Sequence, residues 1–292
     1  MPVVSEMTLL PFDAAMRCAG ALILGWWVVR AARNGELRNP LAGQELVRIG
    51  PGPLTVGAVF LLFFTLLVFG VMACRALGVE PQATRIPGSA AWHTDQVVQD
   101  GAKLAISLLM AAILIRRAPF PAAAREPRRP LRWLRVGVGG ALVVLAVTYL
   151  QLNAGQIVWH WLEPEAVPPV HPVLQAIQES AWGRWGAVQL VVSAVVIAPL
   201  SEELFFRGML LGMFWRLGGR AWLAVVLSAI GFGLIHAGQP QAVIPLTTMG
   251  LILGYVRMRY RSLPACVLVH ALFNARTMLI VLLNPDLAGS NW

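Results

Sequence analysis

The sequence predicts an all-α, polytopic membrane protein with about eight transmembrane helices. Of its 292 residues, 58% are hydrophobic and only 13% are charged. A soluble domain carries roughly 25% charged residues, so a water-soluble core cannot account for this many apolar side chains. The apolar residues also gather in runs that are long enough to cross a bilayer as helices. These observations exclude a disordered chain, a disulfide-stabilised secreted module and a soluble nucleic-acid-binding protein.

The apolar runs place the predicted spans along the chain. Six are clear, at residues 53–74, 136–152, 185–217, 221–235, 242–256 and 263–283. Two weaker spans are predicted at residues 9–29 and 103–115, where flanking basic side chains can extend to the membrane interface. A short amphipathic piece is predicted at residues 172–180. We predict eight spans, with six or seven as the alternative.

The basic residues indicate how the helices are oriented. The net charge is +9, with 23 Lys and Arg residues against 14 Asp and Glu residues. Arginine clusters follow the first, third, fifth and seventh predicted spans, and the alternate loops are neutral or acidic. The positive-inside rule expects this alternation for eight helices with both termini outside. We therefore expect a multi-pass protein of a cell membrane, most simply a bacterial inner membrane, whose environment is the lipid bilayer and whose partners include no nucleic acid.

Polar side chains in the predicted spans suggest an N-terminal block, residues 1–182, and a C-terminal block, residues 183–292, that would carry the chemistry. An ionisable residue at the centre of a membrane helix costs roughly 2.5–3.5 kcal/mol, so each one needs a reason. The first four spans contain almost none. The last four contain Glu202, Glu203, Arg207, His236, His270, Asn274 and Arg276. Arg276 is interpreted as an interfacial anchor. Three more histidines are interpreted as solvated loop residues: His93, His160 and His171.

Helical spacing assigns different roles to the two adjacent glutamates. Glu203 and Arg207 are spaced i,i+4, so they share a face and can neutralise each other. Glu202 is turned about 100° away and is left to face a cavity. Pro199 predicts a kink in the helix just before this pair.

A second polar face is predicted on the last span. His270 and Asn274 are spaced i,i+4, so an imidazole and an amide lie together. Small residues near the polar groups predict close helix packing, at Gly208, Gly212, Gly231, Gly233, Gly250 and Gly254. Such packing would draw the polar groups into one bundle.

These side chains are compatible with two kinds of hydrolytic chemistry. In the first, Glu202 and His236 take a proton from a water that attacks an amide carbonyl. His270 and Asn274 then donate hydrogen bonds to the oxyanion. In the second, Glu202, His236 and His270 bind a catalytic Zn²⁺ with an open fourth position. The residues alone leave both open, so the cofactor is Zn²⁺ or none.

Three short motifs occur in order within the second block. Residues 202–207 match EExxxR, residues 232–236 match FxxxH and residues 270–274 match HxxxN. In this order and spacing they resemble the CAAX prenyl protease-like and bacteriocin-processing (CPBP, or Abi) family of intramembrane endopeptidases. The resemblance covers residues 189–283, roughly a third of the chain.

The resemblance implies a peptidase with assigned roles for the motif residues. Glu202 would activate water with His236, and His270 with Asn274 would form the oxyanion site. Glu203 and Arg207 would support them, and the substrate would be a membrane-associated peptide or protein. The family is described both as glutamate-dependent and as a metalloprotease, so the resemblance does not settle the metal. Two other interpretations remain: a non-catalytic scaffold, immunity or regulatory protein of the same fold, and a proton- or solute-coupled transporter.

Overall fold

The computed structural model describes residues 3–36, 40–41, 51–76, 78, 86–117, 131–162, 172–178, 181 and 183–283. Every regular element within these ranges is a helix. The sequence also predicts a basic, proline-rich linker at residues 119–130. This segment and His171 lie outside the described residues. The prediction of an all-α, polytopic protein is confirmed.

The described part of the chain forms nine helices. They are α1 (Val3–Arg33), α2 (Pro53–Ala76), α3 (Ala90–Arg117), α4 (Arg132–Leu162), α5 (Pro172–Gln178), α6 (Arg184–Gly218), α7 (Ala221–Leu234), α8 (Pro240–Tyr260) and α9 (Leu263–Leu283). The predicted span at residues 263–283 coincides with α9. The two weaker spans are longer than predicted, because α1 and α3 continue through charged residues at their N-terminal halves.

Six of these helices are long and apolar enough to cross a membrane: α1, α2, α3, α4, α6 and α9. Helix α7 has only 14 residues, a length of about 21 Å, against about 30 Å for the hydrocarbon core. Helix α8 has 21 residues and carries Arg257 and Arg259 in its last turn. By length and composition, the described residues therefore contain six full spans, and α7 is a shorter apolar helix.

Helix α6 packs between two groups of helices. On one side, α2 and α3 pack against α6 through Val59, Ile106 and Met209. On the other side, α9 contacts α6 and joins a cluster with α4 and α8 that includes Val144 and Val269. Because α6 carries the predicted catalytic glutamates, this packing places them inside the helix bundle.

The predicted close approach of helices at small residues is confirmed at several positions. A Cβ added at Gly250 on α8 would lie 2.9 Å from the Cα of Ala229 on α7. A Cβ at Gly254 would lie 2.8 Å from Val225 Cγ1. Neither position has room for a side chain, so α7 and α8 pack with their backbones in near contact.

The prediction that the first four spans contain almost no ionisable residues is wrong. Helix α3 begins thirteen residues before the predicted span at 103–115, and it carries His93 and Asp100 as buried residues. Helix α1 carries a buried Asp13. His93 is therefore not a solvated loop residue, and His160 also lies in a helix, α4. The error arose because a span predicted from a run of apolar residues ends at the first charged residue. Such a prediction contains no information on whether a neighbouring helix buries that residue.

Candidate active site

Helix α6, which carries both motif glutamates, departs twice from α-helical geometry. Its backbone is π-helical at Ser193–Ile197 and at Leu204–Leu210, on either side of the α-helical turn Ala198–Glu203. π segments are rare and occur frequently at functional sites. The helix thus accommodates Pro199 by widening just before it.

The same proline creates a hydrogen-bond acceptor for α9. The N–H of Ala198 donates to the carbonyl of Ser193, five residues back. In this register the next donor would be residue 199, directed to Ala194, but proline has no N–H. The Ala194 carbonyl instead accepts a hydrogen bond of 2.7 Å from Nδ2 of Asn274. An amide nitrogen carries two N–H groups, so this bond uses one of the two donors of Asn274.

Glu203 is the centre of a buried charged group. Its Oε1 accepts from Arg207 Nη1 at 2.8 Å and from His270 Nδ1 at 3.0 Å. The side chains of Glu203 and Arg207 are both fully buried. Arg207 also donates through Nη2 to the carbonyl of Gly250, at 3.2 Å. The predicted i,i+4 pair thus forms and connects α6, α8 and α9.

The Phe232 ring lies between this charged group and the second histidine. The guanidinium carbon of Arg207 is 4.5 Å from the ring centroid, which is a cation–π distance. The ring centroid is 5.6 Å from that of His270 and 5.2 Å from that of His236. One fully buried aromatic side chain therefore contacts both imidazoles and the arginine.

His236 follows the last residue of α7 in a turn. Its Nδ1 lies 2.9 Å from the carbonyl oxygen of Phe232. A carbonyl only accepts, so Nδ1 carries the hydrogen and a neutral ring keeps its lone pair on Nε2. Likewise Nδ1 of His270 donates to the Glu203 carboxylate, which orients that ring through the same nitrogen.

Glu202 has a different environment from Glu203. Its Oε2 is buried and accepts no hydrogen bond from any described residue. One oxygen of Glu203, Oε2, is also without a partner among these residues, but its other oxygen holds two donors. A buried polar group that lacks a protein partner calls for a water, an ion or a ligand. Glu202 is therefore the carboxylate that is left to interact with something other than the protein.

The predicted site residues are brought together unequally. Glu203, Arg207 and His270 are in direct contact, and Phe232 links them to His236. Within the described residues neither histidine hydrogen-bonds to Glu202, and Asn274 contacts the α6 backbone instead of His270. The sequence predicted the members of the site, whereas it did not predict that His270 binds Glu203.

The side chains of the described residues do not fit a metal site. Nowhere among them do three His, Cys, Asp or Glu side chains group so that they could hold a metal ion. The Zn²⁺ alternative, with Glu202, His236 and His270 as ligands, is not supported by this geometry. No step below depends on a metal.

Arg276 is not the interfacial anchor that the sequence suggested. Its Nε and Nη2 donate to the two carboxylate oxygens of Asp13 on α1, at 2.7 and 2.8 Å. Asp13 also pairs with Arg17 at 3.1 Å, and the Arg17 guanidinium lies 3.6 Å from the ring centroid of Tyr149. This bidentate pair joins the first helix to the helix that carries His270 and Asn274.

Comparison with known families identifies the part of the chain that contains this arrangement. Residues 184–276 match the family model described as type II CAAX prenyl endopeptidase Rce1-like. This segment, about a third of the chain, is similar to that family. The Rce1-like segment contains all three motifs, so the resemblance to CAAX protease-like membrane peptidases is confirmed.

The relatives in sequence are bacterial proteins. The UPF0177 protein YbdI of Lactococcus lactis subsp. lactis is 33% identical over 85 residues, which are 29% of this chain and 45% of YbdI. The uncharacterized protein YyaK of Bacillus subtilis is 26% identical over 175 residues, 56% of this chain and 53% of YyaK. The chain spans about half the length of the curated relatives it matches. No solved structure matches the chain.

Two parts of the site had little or no signal in the sequence analysis. Phe232 begins the FxxxH motif, but nothing in the spacing indicates that its ring contacts two histidines and an arginine. The carbonyl of Gly250, which accepts from Arg207, is a backbone group and carries no side-chain signal; only the glycine itself marks a close approach.

Proposed function

We propose that the chain is an intramembrane endopeptidase that hydrolyses a peptide bond in a membrane-associated peptide or protein. The observation that carries the proposal is the buried, unpartnered carboxylate oxygen of Glu202 beside a glutamate that is already paired. The match of the surrounding segment to the Rce1-like family supports the reaction class.

In this proposal Glu202 and His236 activate the attacking water. Glu202 accepts the proton as the water oxygen bonds to the carbonyl carbon, and the C–N bond later breaks as the proton passes to the leaving amine. The Nε2 lone pair of neutral His236 accepts a hydrogen bond from the same water and orients it. The Phe232 carbonyl and ring support this role because they hold His236 in that tautomer and position.

His270 and Asn274 stabilise the oxyanion in this mechanism. The second N–H of the Asn274 amide is one donor. His270 already donates from Nδ1 to Glu203, so donation from Nε2 requires a protonated ring, and the Glu203 carboxylate stabilises the imidazolium. Arg207 holds the Glu203 carboxylate in place through a hydrogen bond of 2.8 Å. In this mechanism Glu203 and Arg207 thus act on the oxyanion through His270.

The first experiment searches for the substrate by comparing new protein N-termini in membranes that contain different variants. We expect wild type to produce N-termini that are absent with Glu202→Gln and His270→Ala. Asp95→Asn is the matched control, because among the described residues this carboxylate on α3 accepts only from Gln99, one turn away. It should behave as wild type.

The purified protein then tests the assignment on a synthetic peptide that spans the identified bond. Loss of the Glu202 base should lower kcat by about 10²–10⁴-fold. Unchanged cleavage by both Glu202→Gln and His270→Ala would refute the endopeptidase. A cellular phenotype that survives Glu202→Gln without any cleavage would instead support a non-catalytic scaffold.

The location and orientation are part of the same proposal. The chain lies in a bacterial inner membrane with both termini outside and the basic ends of α1, α3, α6 and α8 on the cytoplasmic side. The basic residues in the last turns of α1 and α8 and at the end of α6 support this orientation. The division into blocks at residues 1–182 and 183–292 also remains a prediction.

A further inference from the structure

A second buried polar group lies between α3 and α6, outside the residues that the proposed mechanism uses. Asp100 on α3 accepts from Ser193 Oγ at 2.7 Å and from Gln189 Nε2 at 3.3 Å. The ammonium of Lys103 lies 3.4 Å from the same carboxylate. His93 is completely buried, and its Nδ1 donates to Gln189 Oε1 at 3.0 Å. Five polar side chains thus tie α3 to the first half of α6.

This group contacts α6 where the helix turns from α to π geometry. Ser193 is the first residue of the π segment Ser193–Ile197. The next residue, Ala194, supplies the carbonyl that accepts from Asn274 at 2.7 Å. Asp100 and Asn274 therefore bind consecutive residues of α6 from two different helices.

We propose that Asp100 is a positioning residue for Asn274. By accepting from Ser193 and Gln189, its carboxylate holds the π segment in the register that directs the Ala194 carbonyl to the Asn274 amide. This inference rests on the proposed function only in the role given to Asn274, a donor to the oxyanion. The hydrogen bonds that link Asp100 to Ser193 and Asn274 to Ala194 do not depend on that role.

A buried carboxylate is a costly way to join two helices in a membrane, and apolar packing already joins α3 to α6. The hydrogen bond that Asp100 accepts from Ser193 sets the rotation of the π segment about the axis of α6. Precision matters here, since a misplacement of about 1 Å can cost about 10²-fold in rate. Apolar contacts between α3 and α6 would not position Asn274 in this way.

The test that does not need a substrate measures hydrogen exchange of the Asn274 side-chain amide. The protein is labelled with ¹⁵N-asparagine in lipid nanodiscs, and Asn274→Gln identifies the signal. In Asp100→Ala we expect the Asn274 amide to exchange at least about fivefold faster, because its bond to Ala194 is weakened. Asp100→Asn keeps an acceptor oxygen for Ser193, so most of the protection should return.

Thr94→Val is the matched control on α3, since within the described part of the chain this hydroxyl donates only to the Ala90 carbonyl one turn back. It should leave the Asn274 amide as protected as in wild type. Ser193→Ala removes the donor instead of the acceptor and should reproduce the effect of Asp100→Ala. Equal protection in wild type, Asp100→Ala and Ser193→Ala would overturn the proposal.

The second readout uses cleavage kinetics with the substrate found above. Asp100→Ala should lower kcat by about 10-fold or more, with little change in KM, because the oxyanion donors act in the transition state. In an Asn274→Ala background the same substitution should have little further effect. An equal loss in both backgrounds would show that Asp100 does not act through Asn274. If no variant cleaves any peptide, the proposed function fails while the exchange measurement still decides the role of Asp100.

Discussion

At the scale of single residues, two adjacent glutamates with the same chemistry have different environments. Glu203 holds a guanidinium and an imidazole on one oxygen, whereas Glu202 has a buried oxygen with no described partner. The proposed mechanism therefore gives Glu203 a supporting role and assigns the reaction with water to Glu202. Arg207 is the residue that maintains this difference, since it neutralises Glu203 inside the membrane.

The ion pair can be tested by removing one charge and then both. Arg207→Met leaves the Glu203 carboxylate buried without its guanidinium and should lower the free energy of unfolding by about 3–5 kcal/mol. The double variant Glu203→Gln, Arg207→Met has no uncompensated charge and should be less destabilised than Arg207→Met. Unfolding in detergent measures the difference. Arg30→Met, at an exposed position on α1, is the control and should change stability by no more than about 0.5 kcal/mol. An Arg207→Met variant as stable as this control would contradict the prediction.

At the scale of the helices, close backbone contact between α7 and α8 accompanies a backbone contact from α8 to Arg207 on α6. Gly250 contributes twice, because its missing side chain admits Ala229 and its carbonyl accepts from Arg207. Helix α6 also contributes a backbone group. Because Pro199 has no N–H, the Ala194 carbonyl in the preceding π segment accepts a hydrogen bond from Asn274 instead. Backbone groups, not only side chains, therefore build the site.

Gly250→Ala tests the close contact. The new Cβ would lie 2.9 Å from the Ala229 backbone, so α7 and α8 must separate, and the bond from Arg207 lengthens. We expect a loss of about 1–3 kcal/mol in the free energy of unfolding and lower cleavage activity. Gly57→Ala is the matched control, because no atom lies within 4 Å of a Cβ added there on α2. It should be neutral or stabilising by up to about 1 kcal/mol, and the prediction is wrong if the two variants behave alike.

At the scale of the whole molecule, contacts between distant parts of the sequence hold the Rce1-like segment in place. Asp13 on α1 binds Arg276 on α9, two residues after Asn274. Asp100 on α3 binds α6 from the other side. The N-terminal helices thus contact both helices that meet at Asn274, so they form part of the support for the site.

The orientation of the bundle can be measured by labelling single cysteines in intact cells. Cys18, Cys74 and Cys266 are first replaced by alanine, and cysteine is introduced at Asn34 after α1 or at the exposed Ile86 between α2 and α3. With both termini outside, a membrane-impermeant maleimide should label Ile86→Cys in intact cells and Asn34→Cys only after permeabilisation. The reverse pattern would show that the termini are inside.

The described positions of most helices could be predicted because local patterns determine them. Apolar length and flanking arginines sufficed for α2, α6 and α9, whose bounds differ little from those expected. The same criterion predicted too short a span for α3. A charged residue such as Asp100 is taken as the end of a span unless its hydrogen-bond donors on α6 are known. Spacing likewise predicted the Glu203–Arg207 pair, because residues four apart on one helix are neighbours whatever surrounds them.

By itself, the sequence determined that this is a helical membrane protein and that Glu203, Arg207 and His270 lie within its C-terminal helices, since composition and helical periodicity act within a single helix. Only the tertiary structure decided that His270 binds Glu203 and not Glu202, that Asn274 binds the Ala194 carbonyl, and that Arg276 reaches back to Asp13. The partners in these contacts are 67, 80 and 263 residues apart. Whether two such residues meet depends on how each helix is rotated against its neighbours, and packing of the whole bundle sets that rotation.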